Sequence, residues 1–168
     1  FEKKFFISSI TLRLTKKNHQ INTGYSALDT YLKKKKIIKP SIQHVFESVV
    51  EIRSEKLPDP SVLGNAGSFF KNPVVDAAIY SKLQSDHPLI PFYHSDNQQF
   101  KIPAGWLIEQ AGWKGKRIGN VGVHQMQALV IINFGGASGQ EIFEFSEQII
   151  ADIKQKFGVE LHREVNVI

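Results

Sequence analysis

The 168-residue chain is long enough for one self-sufficient core, since a chain of this size buries about 70% of the surface it exposes when unfolded. Its 42% apolar and 22% charged content excludes a disordered tail, a collagen-like chain and a coiled-coil rod, and no apolar run approaches the roughly 20 residues of a membrane-spanning helix. A net charge of +5 without any cysteine favours an anionic partner such as nucleic acid, a phospho-sugar or a dinucleotide and excludes disulfides, a thiolate nucleophile and Cys-ligated zinc.

Phe1 stands where an initiator methionine would, and residues 1–14 have neither the n-region nor the h-region of a signal peptide. The chain is therefore expected to be a segment of something longer. Residues 5–14, rich in β-branched and aromatic side chains, read as a strand. Residues 16–24 are polar and end on Gly24, which predicts a turn or loop, and residues 25–32 suit one or two helical turns. Lys33 to Lys36 form a basic run that is read first as a solvated segment and second as a phosphate contact. Pro40-Ser41 opens a helix to about Glu55, with Ser41 as N-cap and Val45, Val49 and Ile52 on one stripe widened by Phe46 and Val50. Residues 57–67 hold two prolines and two glycines and no period, so they read as a loop and as the best domain boundary.

Residues 68–70 and 73–75 look extended. Asp76 can cap a helix to about Ser85. Residues 92–102 resemble a hairpin turning at Ser95-Asp96-Asn97. A short helix over 104–111 ends at Gly112, residues 115–122 read as a glycine-spaced loop, and the apolar run 128–134 as a buried strand. Ser138 and Glu141 have capping-box spacing before a helix that carries Ile142, Phe145, Ile149, Ile153 and Phe157 on one face and stops at Gly158. Residues 159–168 read as a last strand. Strands and helices mix without a strict βαβ rhythm, which predicts an α+β fold, a mixed sheet with packed helices.

The common catalytic motifs are missing: no phosphate-binding loop of the G-x-x-x-x-G-K-[ST] type, no G-x-G-x-x-G, no H-E-x-x-H and no G-x-S-x-G. The six histidines have no ligand-like spacing, so no metal site is expected. The densest signal is Gly64-Asn65-Ala66-Gly67-Ser68-Phe69-Phe70-Lys71-Asn72-Pro73, preceded by Lys56-Leu57-Pro58-Asp59-Pro60. Glycine lets backbone approach a ligand closely, the serine hydroxyl could face a pocket, the paired phenylalanines supply apolar walls, and Lys56, Lys71 and Asn72 supply polar contacts. The alternative is a Gly-rich turn into a buried strand, with Ser68 capping backbone. In the second cluster, residues 103–115, Trp106, Leu107 and Ala111 read as core rather than ligand contacts. In the third, residues 122–129, a glutamine could bond a ligand or simply be a polar approach to a buried strand.

Taken in order, GNAGSFFKNP, PAGWLIEQAGWKG, GVHQMQALVIIN and a terminal E-x-x-x-EV segment resemble the C-terminal region of the UDP-N-acetylenolpyruvoylglucosamine reductase (MurB) family, over roughly residues 52–168 and more weakly back to Phe5. The resemblance implies a cytoplasmic bacterial flavoenzyme of peptidoglycan precursor synthesis. NADPH reduces bound FAD, and the flavin reduces UDP-N-acetylglucosamine enolpyruvate to UDP-N-acetylmuramate. Carried over by motif, Ser68 matches the serine that protonates the intermediate and Glu164 the glutamate that acts at the substrate carboxylate. Lys56, Asn72 and Gln127 match substrate contacts, Tyr93 a tyrosine that binds the nucleotide, and Tyr25 a tyrosine of a substrate-covering loop. The last match departs from pattern, because the tyrosine stands in Gly-Tyr-Ser rather than Tyr-Gly-Asp.

The resemblance further implies that FAD is held mainly by an N-terminal domain with a glycine-rich pyrophosphate loop and a carboxylate-binding arginine, neither of which is found in this sequence. Residues 1–56 are then the tail of that domain and a linker, 57–158 the substrate-binding domain, and 159–168 a strand returning to the flavin domain. The segment alone is expected to be inactive and able to self-associate, whereas the whole enzyme is expected to be monomeric, without nucleic acid or membrane partners. The competing class is a non-catalytic UDP-sugar-binding module.

Overall fold

The computed structural model describes residues 7–167. The chain divides into two compact units, Phe1–Ile52 and Arg53–Ile168, and helix α2 (Ile42–Lys56) runs across the division.

In the first unit, α1 spans Ser26–Lys34. Leu28 and Leu32 are one turn apart and bury against Ile52 of α2, with Tyr31, Ile37 and Val45 packed around them. The amide of His44 donates to Ser41 Oγ at 3.2 Å, so Ser41 caps α2 as expected. The stripe expected on α2 is only partly used: Ile52 is buried, while Phe46, Val49 and Val50 are exposed. Residues 7–14 do not form the expected strand, and Ile7, Ile10, Leu12 and Leu14 are exposed. A strand needs a neighbour for its N–H and C=O groups, and among the described residues none pairs with this segment; Phe5 and Phe6 lie outside the described residues. Lys33 pairs with Asp29 at 2.6 Å and Lys35 with Glu51 at 3.3 Å, so part of the lysine run is matched by carboxylates.

The second unit is α+β. Strands β1 (Gly64–Ser68), β5 (Arg117–Ile118), β6 (Val121–Val123) and β7 (Val130–Asn133) form a sheet in the order β1-β7-β6-β5. Strands β2 (Val74–Val75), β3 (Tyr93–His94) and β4 (Phe100–Lys101) form a smaller one in the order β2-β4-β3. The α+β class holds, and each described strand pairing within it is antiparallel where the sequence suggests a mixed sheet. Helices α3 (Ala77–Asp86), α4 (Ala104–Gln110) and α5 (Gly139–Phe157) cover the core. Asp76 caps α3 through a bond from the Ile79 amide. Both halves of the α5 capping box are made, and Gly158 leaves the helix left-handed at φ 68°. Phe145, Ile149 and Ile153 of α5 are buried with Leu107 and Ile108 of α4, and with Val121, Val123 and Ile131 of the sheet. Burying each such side chain stabilises by about 1.5–3 kcal/mol relative to exposure.

Three segments of the second unit differ from their sequence expectation. Residues 64–67, read as loop, are strand β1, paired Gly64–Asn133 and Asn65–Ile132 with an irregularity before Ser68–Val130. Residues 115–122, also read as loop, hold the β5–β6 hairpin. There Gly122 is required, because a Cβ would lie 2.8 Å from the Lys116 carbonyl oxygen. Residues 159–167 form no strand; they have one isolated bridge, Phe70 to Arg163, with Val159 and Leu161 buried. Ile168 lies outside the described residues. For residues 64–67 the deciding partner, β7, is distant in sequence and beyond the reach of local pattern.

Candidate functional site at the Ser68 strand

The chain around Ser68 is shaped by Asn65. Its Oδ1 accepts from the Gly67 amide at 3.0 Å and its Nδ2 donates to the Leu63 carbonyl at 2.8 Å. This side-chain turn sets Gly67 at φ 71°, a region that favours glycine, and leaves Ser68 exposed beside the buried Phe69 and Phe70. Phe69 is held from two directions: its amide donates to the Leu129 carbonyl at 2.8 Å, and its carbonyl accepts from the Glu164 amide at 2.9 Å. Ser68 and Glu164 are thereby carried on neighbouring backbone segments, both exposed.

Leu129 ties this strand to the turn that bears Gln127. Gln127 Oε1 accepts from the Leu129 amide at 3.4 Å, and its carbonyl accepts from the Val130 amide at 3.1 Å. The same turn holds His124, whose amide donates to the Val130 carbonyl and whose Nδ1 accepts from the Met126 amide at 3.3 Å. Burial pushes the His124 pKa below the usual imidazole value, which favours the neutral ring that can accept this bond.

Asn72 closes the other side. Its Oδ1 accepts from the Ala104 amide at 2.8 Å, satisfying a donor at the start of α4 that would otherwise be orphaned. The next residue, Gly105, packs against the Gln127 turn: a Cβ there would be 3.4 Å from Leu129 Cγ and 3.7 Å from Gln127 Oε1. Ser68, Asn72, Gln127 and Glu164 thus gather around one short stretch of backbone. Tyr93 stands apart on β3, exposed and directly across from Lys101. Lys56 is the exposed last residue of α2. Tyr25 belongs to the first unit, at the start of α1, where its side chain makes no capping bond.

Two clefts flank β1. One, of about 580 Å³, is lined by Arg53, Leu57, Pro58, Asn65 and Gly67 among others. The second, of about 470 Å³, is lined by Phe69, Ile142, Phe143 and Val165 together with Gln140 and Asn166. Ser68 and Glu164 line neither. Among the described residues no group of three or more His, Asp or Glu side chains is placed to hold a metal ion, and no helix is long and apolar enough to cross a membrane. Sequence reasoning passed over the shaping role of Asn65, although its place between two glycines is a turn signal. It also passed over the seating of Arg163, which depends on a helix many residues earlier and leaves no local signal.

A family model for the C-terminal domain of UDP-N-acetylenolpyruvoylglucosamine reductase matches residues 59–168. The chain belongs to this reductase family. The reductase of Flavobacterium johnsoniae is 46% identical over 165 residues, which cover 98% of this chain and 49% of that protein. That of Porphyromonas gingivalis is 49% identical over 144 residues, 86% of this chain and 42% of that protein. That of Bacteroides fragilis is 43% identical over 166 residues, 99% and 49% respectively. The chain spans about half the length of the curated relatives it matches. A crystal structure of the reductase (MurB) from Thermus caldophilus aligns with a TM-score of 0.42 at 23% identity, covering 79% of this chain and 35% of that one.

Proposed function

We propose that the chain is the substrate-side half of a cytoplasmic, peptidoglycan-forming reductase that converts UDP-N-acetylglucosamine enolpyruvate to UDP-N-acetylmuramate. The supporting observation is the bond between the Glu164 amide and the carbonyl of Phe69, the residue that follows Ser68. Reduction of an enol ether adds hydride to one carbon and a proton to its neighbour. In this proposal the residues of this chain serve the proton half. The Ser68 hydroxyl donates its proton to the α-carbon of the carbanionic intermediate, and Glu164 acts at the substrate carboxylate onto which the charge is delocalised. Asn72, Gln127, Lys56 and Tyr93 hold the UDP-sugar. Asn72 Oδ1 is already committed to α4, so its contact with ligand would come from the Nδ2 donors.

FAD, reduced by NADPH, is the hydride source that family membership suggests. The fit to this chain is incomplete. The cleft at Phe69 and Phe143 offers apolar walls for a flat ring, but among the described residues none that line it is basic, so a dinucleotide diphosphate has no cation there. Within this proposal residues 1–56 belong with the cofactor-binding part of the protein, residues 57–158 form the substrate-binding domain, and residues 159–168 return towards the flavin side.

The test is Ser68→Ala in the whole reductase that carries this chain. Flavin reduction by NADPH should be unchanged, while reoxidation by the enolpyruvyl UDP-sugar should slow by about 10²–10⁴-fold. Reoxidation at the original rate would remove Ser68 from the proton-donor role. UDP-sugar binding without any flavin reoxidation in the unaltered protein would point instead to a non-catalytic binding module.

A further inference from the structure

We propose that Arg163 is the positioning residue that sets Glu164 beside Ser68, an inference that rests on the role given to Glu164 above. After Gly158 the chain is anchored by the buried Val159 and Leu161 and then runs extended along residues 69–71. Little backbone holds it there: the Lys71 amide donates to the His162 carbonyl at 2.9 Å and the Glu164 amide to the Phe69 carbonyl at 2.9 Å. An edge segment with so few bonds opens easily by itself. Arg163 supplies the missing constraint from the opposite direction. Its Nε donates to Ser146 Oγ at 2.8 Å, its Nη2 pairs with the Glu147 carboxylate, and its guanidinium carbon lies 4.3 Å from the centroid of the Phe143 ring.

Phe143, Ser146 and Glu147 are spaced by three and four residues and so share one face of α5. Ser146 is fully buried, and its hydroxyl donates to the Phe143 carbonyl at 2.6 Å. That bond orients the hydroxyl and leaves a lone pair for Arg163. A planar guanidinium can bond with its edge and stack with its face at once, which a lysine ammonium cannot do. The longest helix of the second unit thus fixes the residue immediately before Glu164. Arg163 itself is committed to α5 and lines neither cleft beside β1, so its influence on the reaction passes through Glu164.

The experiment compares Arg163→Met, Arg163→Lys, Ser146→Ala, Glu164→Gln and the Arg163→Met/Glu164→Gln pair in the whole reductase, with kcat, KM and amide exchange as readouts. Arg163→Met should lower kcat by about 10²-fold, the effect of misplacing a reacting group by about 1 Å, with KM for the enolpyruvyl UDP-sugar changed less than kcat. Arg163→Lys should recover only part of that loss. The Glu164 and Lys71 amides should exchange faster in Arg163→Met, while those of β7 keep their protection. In the Glu164→Gln background Arg163→Met should cost nothing more, because the group it positions is already disabled. If Arg163→Met does not fold, Ser146→Ala, which removes the Nε acceptor along with the hydroxyl's bond to the Phe143 carbonyl, carries the same signature at about tenfold in kcat. A slow Glu164→Gln combined with original kcat in both Arg163→Met and Ser146→Ala would overturn the positioning role alone, as would full additivity in the double variant. An original kcat in Glu164→Gln would overturn the role of Glu164, and the positioning role with it.

Discussion

The amide of Glu164 donates to the carbonyl of Phe69 across 2.9 Å, joining two segments that stand almost a hundred residues apart in the chain. The consequence is a division of labour along three consecutive residues. Phe69 and Phe70 are buried, at 6% and 1% exposure, and serve as anchors, while Ser68 stays at the surface. Phe70→Ala should therefore cost about 3–5 kcal/mol of unfolding free energy, the usual loss for a buried phenylalanine. Ser68→Ala should stay within about 0.5 kcal/mol. Denaturant unfolding of the two variants checks this, and equal losses would show that the serine is structural.

Asn72 is expected to be two things at once. Truncation to alanine leaves the fully buried Ala104 with an unsatisfied amide, at a cost of about 1–3 kcal/mol. Asn72→Asp keeps an acceptor for that amide and should recover most of the stability. It should not recover UDP-sugar binding, because the Nδ2 donors are gone and a negative charge replaces them. Thermal unfolding and ligand titration of the two variants separate the effects.

Trp113 Nε1 donates to Asp152 at 2.7 Å, and Lys156 donates to the same oxygen at 2.9 Å. Burial pulls the Asp152 pKa up, and the bonds from Lys156 and Trp113, aided by the charges of Lys156 and Lys116, more than reverse it, leaving the carboxyl below its usual value. A depressed carboxyl contributes stability that is fully present above the unfolded value of about 3.9 and is lost as pH falls through the folded value. Asp152→Asn should lower stability at neutral pH and flatten the acid limb of the stability curve below about pH 4. Denaturation midpoints measured from neutral pH down to about pH 2 check it, and an unchanged acid limb would count against the assignment.

His124 sets the other pH window. Burial depresses its pKa, so below the unfolded imidazole value of about 6.5 the unfolded chain binds more protons than the folded one. The stability this neutral ring contributes is complete above that value and is lost as pH falls below it. Protonation would also remove the Nδ1 acceptor of the Met126 amide, in the turn that carries Gln127. Stability should decline as pH is lowered below about 6.5, UDP-sugar affinity only at the lower pH where the folded ring takes up its proton, and His124→Gln should reduce the pH dependence of both. Proton titration of the His124 ring by NMR provides the direct measurement.

Much of the second unit is legible from pattern. The Ser138 capping box, the Asp76 cap, the Gly112 and Gly158 stops and the apolar face of α5 are signals within a few residues, and the structure realises each of them. The α2 stripe shows the limit of such signals. Its periodicity marks Phe46 and Val50 as apolar, yet both are exposed in this chain. The candidate site is legible as residue types in motifs, and Ser68, Asn72 and Gln127 all stand in quoted runs. What the motifs do not contain is adjacency. That Asn72 would spend its carbonyl on α4, or that Gly105 would press against Gln127, follows from packing between elements that local spacing does not connect.

By itself the sequence determined the α+β class, the helix boundaries and the family, because these rest on local capping chemistry, on periodicity and on motif order. Only the tertiary structure decided that residues 64–67 and the β5–β6 hairpin are sheet rather than loop, that residues 7–14 and 159–167 are not strands, and that the Glu164 amide bonds the Phe69 carbonyl. A strand exists only where another backbone completes its hydrogen bonds. Those partners are set by the burial of Phe69, Phe70, Val159 and Leu161 in one core and by the clasp of Arg163 on α5.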